Sequence, residues 1–158
     1  MNKQKWAALL GFVVLAQVVG GIGAISTTSK IPTWYAELIK PAFNPPNWVF
    51  GPVWTILFLL MGIASFLIWQ SDASIHEKRD AFAAYGMQLL LNVLWSVIFF
   101  GLQSPGVAFG EIIALWLAIA VTIKEFSKIY RPAAWLMAPY LAWVSFAAFL
   151  NFSIWILN

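Results

Sequence analysis

Ten tryptophans, one histidine and no cysteine delimit the chemistry open to this 158-residue chain. Without Cys there is no thiol nucleophile, no thiolate metal site and no disulfide framework. The single His, His76, lies in the charged segment SDASIHEKRD, so no serine in the apolar stretches has a base beside it. A phosphate-cradling glycine loop, a zinc-ligand spacing and a pair of buried carboxylates are all missing from the pattern. Conventional hydrolase or transferase chemistry is therefore disfavoured. What remains are indoles, amides and one carboxyl set in apolar sequence, the kind of groups that hold a flat hydrophobic molecule.

Two constellations carry that reading. Gln88, Asn92 and Ser96 recur at a spacing of four, so they project from one helical face, flanked by Trp95 and Phe99. Tyr140, Trp143, Ala147 and Asn151 form a second such face with a small residue at its middle. At a rise of ~1.5 Å per residue, Trp54 lies about 9 Å in from Trp48, Trp95 about 12 Å from Gln103 and Trp143 about 20 Å from Leu157. Deep polar groups of this kind rarely face lipid. They either bind helices to one another through hydrogen bonds worth about 1 kcal/mol or less, or line a pocket, and the pattern leaves both readings open. Large indoles beside small Gly62 and Ala147 favour the pocket. Glu111 is the one charge inside an apolar stretch; near the end of its span, it is expected to snorkel to water or to bond a neighbouring helix.

The elements that must position these groups are membrane spans. Only 9% of the residues are charged against about 25% in an average soluble domain, and 62% are hydrophobic. A water-facing surface cannot be built from so few charges. Five apolar stretches, 6–26, 48–70, 81–103, 105–123 and 132–157, each reach the ~17–25 residues that cross a bilayer. The expected fold is an all-α integral membrane protein, a single domain of five transmembrane helices contacting lipid, with an ordered loop over 27–47. Lys3 and Lys5 before the first stretch also suit a signal peptide, but the stretch is longer than the ~7–15 apolar residues of one, and Ala16, Gly20 and Ala24 form a ridge suited to helix packing. Its retention as a helix is preferred.

Charge sets the expected orientation. Lys3, Lys5, Lys78, Arg79, Lys124, Lys128 and Arg131 share one side, and only Lys30 and Lys40 the other. The positive-inside rule then places the N-terminus in the cytoplasm and the first loop and C-terminus outside. These cations are scattered singly or in twos and form no stripe interleaved with aromatics, which argues against a nucleic-acid partner. Trp6, Trp69 and Trp135 fall at one membrane boundary and Trp34, Trp48 and Trp155 at the other, where indoles concentrate. Trp54, Trp95, Trp116 and Trp143 lie deeper.

The segment WYAELIKPAFNPPNWVFGPVW, Trp34 to Trp54, is the most specific stretch. Pro41, Pro45 and Pro46 break helix and brace a loop, while Pro52 is tolerated near a helix start. This segment resembles the signature of the tryptophan-rich sensory protein family, also called the translocator protein or peripheral benzodiazepine receptor family. QLLLNVLWSVIFFG, Gln88 to Gly101, and PYLAWVSFAAFLN, Pro139 to Asn151, agree with that family in order and spacing. Phe43 departs from it, since many relatives carry Trp there.

The resemblance implies five packed helices, frequent homodimers, and a pocket beneath the first loop for porphyrins and drug-like planar ligands. Carried over by motif, the ligand-binding residues are Trp34, Trp48, Trp54, Asn92, Trp95, Ser96, Phe99, Trp143, Ala147 and Asn151. No cofactor is required, and protoporphyrin IX or haem is the implied ligand. Since no His or Cys lies in the spans, a metal-free porphyrin or a haem held by its faces fits better than an axially ligated one. Bacterial relatives are linked to light-dependent porphyrin breakdown, for which Trp34, Trp54, Trp95 and Trp143 are the candidate redox-active groups; transport of a tetrapyrrole or lipid is a further possibility. Sterol recognition through the fifth span is not expected, because Tyr140 has no Lys or Arg after it. The reversed pattern at Lys30, Tyr35 and Leu38 is of a kind that matches by chance.

Overall fold

In lipid every backbone donor must be satisfied inside its own segment, which leaves helix as the economical form for an apolar run of this length. The computed structural model describes residues 3–158 and contains six α-helices: α1 (Lys3–Thr28), α2 (Trp34–Glu37), α3 (Asn47–Trp69), α4 (Ile75–Ser96), α5 (Pro105–Ile129) and α6 (Arg131–Leu157). All but the short α2 are long and apolar enough to cross a membrane, and the protein is a five-helix integral membrane bundle.

Local signals fix where helices start and stop. α4 opens on a capping box in which the Glu77 N–H donates to Ser74 Oγ at 3.3 Å and the Ser74 N–H donates to Glu77 Oε2 at 2.9 Å. It therefore begins six residues before the apolar run expected at 81, and α5 likewise outlasts its expected end at 123. Hydropathy marks the membrane; capping and propensity mark the helix. Pro105 at the first position of α5 and Pro132 near the start of α6 occupy places where a missing N–H costs nothing. Pro52 is different, for α3 begins at Asn47 and Pro52 lies beyond its first turn, where the Trp48 carbonyl loses its helical donor. At its far end α4 widens into a π-helical turn, Val97–Gly101, with the Leu102 N–H donating to the Val97 carbonyl at 2.8 Å. Gln103, at φ 53°, then reverses the chain into α5.

The five long helices close into a ring in the order α1, α3, α6, α5, α4, each packing on its neighbours. The end away from the loop is filled: Met61, Ala64, Ile68, Ala81, Ile119, Phe126, Ala133 and Met137 are all fully buried. Gly62 permits the closest approach there, since a Cβ on it would stand 2.6 Å from the Val13 Cα of α1. It is a helix-packing residue, not the pocket-side gap its neighbourhood of indoles implied.

The proline-braced loop is ordered by its own bonds. The Tyr35 hydroxyl donates to Asn44 Oδ1 at 2.8 Å, and Lys40 Nζ donates to the Ala36 and Leu38 carbonyls while lying 4.8 Å from the centre of the Tyr35 ring. Asn158 fastens the loop to α6 twice, donating through Nδ2 to the Ile39 carbonyl and accepting from the Ile39 N–H through Oδ1, both at 3.0 Å.

Candidate functional site

Beneath that loop the helices separate around a cavity of about 550 Å³, within the ~300–1,000 Å³ typical of small-molecule sites. Its walls come from α1, α3, α4 and α6; α5 takes no part. Nine of the ten expected residues line it: Trp48 and Trp54 from α3, Asn92, Trp95, Ser96 and Phe99 from α4 and its π turn, and Trp143, Ala147 and Asn151 from α6. Trp34 does not. Its indole packs edge-on against Phe99 and Phe100, with centroids 5.6 and 6.3 Å away, and borders a separate shallow recess beside Gln103 and Trp155. One turn of α2 turns Trp34 outward and sends Tyr35 into the cavity instead.

The π turn is what aims the aromatic wall. Trp95 and Phe99 stack at 5.1 Å and 26°, and Phe99 meets Phe100 edge-on at 4.8 Å. Opposite them Trp143 stands edge-on to Phe50 at 5.9 Å, its indole N–H buried without a partner. Trp54 lies between Phe58 and Tyr140.

The two readings of the polar faces both turn out to apply, to different atoms. Asn151 is helix glue as well as wall: its Oδ1 accepts from Trp95 Nε1 at 3.0 Å and its Nδ2 donates to the Pro105 carbonyl at 2.7 Å, tying α6 to α4 and α5. Asn92 donates through Nδ2 to the Tyr140 hydroxyl at 2.9 Å, and no protein bond occupies its Oδ1. The Ser96 hydroxyl lies in the cavity wall against α1, 3.2 Å from where a Cβ on Gly23 would stand. Gln88 drops out of the stripe; it is fully buried below the cavity, its Nε2 3.9 Å from Met61 Sδ. Trp116 donates to Ser145 Oγ at 2.8 Å and joins α5 to α6 away from the site.

Glu111 neither snorkels nor bonds a neighbouring helix. It is 8% exposed and both carboxyl oxygens lack a protein hydrogen-bond partner. Ala108, Ile112 and Leu115 on the same α5 stripe face the bundle interior, and Glu111 is carried inward with them. Phe43, at the position where the resemblance led one to look for an indole, stacks on Phe149 at 5.1 Å outside the cavity.

The wall that residue types did not announce is α1. Gln17, Gly20, Gly21, Gly23, Ala24 and Thr27 line the cavity, and the glycines and Ala24 do so by being small. Only part of the expected ridge packs: Ala16 is buried and Gly20 lies under Phe58, whereas Ala24 borders open space. Gln17 Nε2 donates to the Thr55 carbonyl at 2.9 Å, joining α1 to α3 at the lower edge. A cluster of glycines at helical spacing in an otherwise apolar span was the available signal.

Among the described residues lining the cavity none is Asp, Glu, Lys, Arg or His. Burial pushes the Tyr35 phenol up to about 12 against the opposing effect of its bond to Asn44, so it stays neutral and adds no charge. The lining also lacks Met, leaving Tyr35 as the one side chain with any record as a haem ligand, and its hydroxyl is committed to Asn44.

A ring of five spans around an uncharged, aromatic-walled cavity of ligand size defines the class: a multi-pass integral membrane protein. Residues 12–156 match the model of the TspO/MBR family, and the chain belongs to that family. It is 41% identical to the tryptophan-rich protein TspO of Chlorobaculum tepidum, covering 100% of this chain and 99% of the relative. It is 36% identical to the tryptophan-rich sensory protein of Cereibacter sphaeroides, over 97% and 92% of the two chains, and 35% identical to the human translocator protein, over 95% and 89%.

Proposed function

We propose that the protein is a membrane binding protein or sensor for porphyrins and similar planar hydrophobic molecules, taken into the cavity under the first loop. The observation that carries this reading is the cavity itself: about 550 Å³, walled by Trp48, Trp54, Trp95, Phe99 and Trp143, and free of charged side chains. Flat aromatic walls suit stacking, and Asn92 Oδ1 and the Ser96 hydroxyl supply orienting hydrogen bonds. The ligand-binding set proposed is Trp48, Trp54, Asn92, Trp95, Ser96, Phe99, Trp143, Ala147 and Asn151, with Trp34 acting only through Phe99. Lacking a His, Cys or Met in the wall, the site suits a metal-free porphyrin such as protoporphyrin IX better than an axially ligated haem.

A second reading draws support from one further observation. Trp54, Trp95 and Trp143 stand in the wall, where an excited or oxidised macrocycle would meet an indole, so light-dependent porphyrin breakdown is the alternative activity. By the distribution of Lys and Arg the N-terminus is cytoplasmic and the loop end faces outward. Family resemblance adds a second copy of the chain as partner, to be checked by mass measurement in native nanodiscs.

Titration with protoporphyrin IX in darkness and under illumination separates the readings. Saturable quenching of Trp fluorescence without product is expected for the sensor, weakened in Trp143→Phe and Trp54→Phe. Product formation lost in either variant while binding persists supports the enzyme. Absence of quenching in the wild type sinks both.

A further inference from the structure

We propose that Lys30 is the anchor for the acidic edge of the ligand and sets the direction in which a carboxylated tetrapyrrole enters. This rests on the porphyrin reading of the cavity. The inference starts from a mismatch: protoporphyrin IX carries two propionates on one edge of its ring, and the cavity wall holds no cation. A carboxylate taken into such surroundings without a partner is strongly disfavoured. The neutral edge of the macrocycle therefore goes in first, toward Asn92 and Ser96, and the propionates stay at the rim.

Three charged side chains of the loop are candidates to meet them there: Lys30, Glu37 and Lys40. Glu37, exposed at the end of α2, has the wrong sign. Lys40 is committed, its Nζ donating to the Ala36 and Leu38 carbonyls and lying over the Tyr35 ring. Among the described residues Lys30 has neither an ion pair nor a side-chain hydrogen bond, yet its backbone is fixed, its N–H donating to the Thr27 carbonyl at 3.0 Å and its carbonyl accepting from the Tyr35 N–H at 2.9 Å. It sits between Thr28 and Ile31, both of which line the cavity. Half-buried just beyond the end of α1, Lys30 is a cation on a fixed backbone, two residues from one lining residue and next to another. Asn47 and Trp48, at the start of α3, also line the cavity, the latter 75% exposed. The arrangement discriminates by charge at the rim and by shape within.

The test compares protoporphyrin IX with its dimethyl ester, read by Trp quenching in nanodiscs of zwitterionic lipid. Lys30→Gln should weaken the diacid about tenfold, as for one charge-assisted hydrogen bond, and the ester by less than about twofold. Lys30→Arg should restore most of the diacid affinity, and raising salt should weaken the diacid alone. Unchanged ester binding also certifies that the variant is folded. Equal losses for both ligands, or no loss for either, overturn the assignment, as does a diacid-selective loss in Lys40→Gln in place of Lys30→Gln. If neither porphyrin quenches the wild type, the porphyrin reading fails and this inference with it.

Discussion

The same three helices, α3, α4 and α6, build a sealed core at one end of the bundle and the wall of an open cavity at the other. At the sealed end Met61, Ile68, Phe126 and Met137 fill the interior and α1 is drawn in against Gly62. At the loop end α1 presents Gly21 and Ala24 to the open cavity. Along α1 only Ala16 and Gly23 are buried. The contrast teaches that volume here is set by where side chains are withheld. A glycine closes the bundle where a neighbouring backbone meets it, as at Gly62, and opens it where nothing stands opposite, as at Gly21.

That contrast can be broken most forcefully at the two kinds of glycine. Gly62→Ala places a Cβ against the Val13 backbone and should cost about 2 kcal/mol, whereas Gly21→Ala, with nothing within 4 Å of the new Cβ, should change stability by less than about 0.5 kcal/mol. Reversible unfolding in mixed detergent micelles measures both, and equal losses would erase the distinction between the ends. Next in size, Ala147→Phe fills the cavity from α6. It should lower porphyrin affinity about tenfold or more, equivalent to ~1.4 kcal/mol, while the unfolding midpoint stays near that of the wild type. The smallest effect is expected at Trp34, which the cavity excludes: Trp34→Phe should shift affinity by less than about twofold, against a clear loss for Trp54→Phe in the same titration. A large loss at Trp34 would mean that the recess beside Trp155 belongs to the binding site.

Most of the bundle was legible because lipid permits so few solutions: five apolar runs had to be five helices. Their ends were not, since the Ser74–Glu77 cap and the polar last turns of α5 lie outside any hydropathy signal. Of the site, the faces of α4 and α6 could be read from spacing of three and four, because Asn92, Ser96, Trp143 and Asn151 are unusual residues for a span. α1 escaped for the opposite reason. Its contribution is absence of bulk, and Gly and Ala look alike in sequence whether they face a neighbouring backbone, as Gly62 does, or a cavity. Trp34 misled because four residues of helix decide which of two adjacent aromatics faces inward, and the choice of Tyr35 depends on its bond to Asn44. The stripe from Gln88 to Ser96 was one face, as expected, but a face about 12 Å long crosses from sealed core into cavity, and Gln88 falls on the wrong side of that line.

The ring order has a consequence for how the molecule is made. α6, made after the other four spans, lies between α3 and α5, while α1, α3, α4 and α5 are already joined through neighbours made before it. Until α6 slots into that gap, the wall bearing Trp143, Ala147 and Asn151 does not exist. Closure of the cavity thus arrives in a single late step of biogenesis, and a chain that stalls before its fifth span carries the walls of α1, α3 and α4 open on the side that α6 fills.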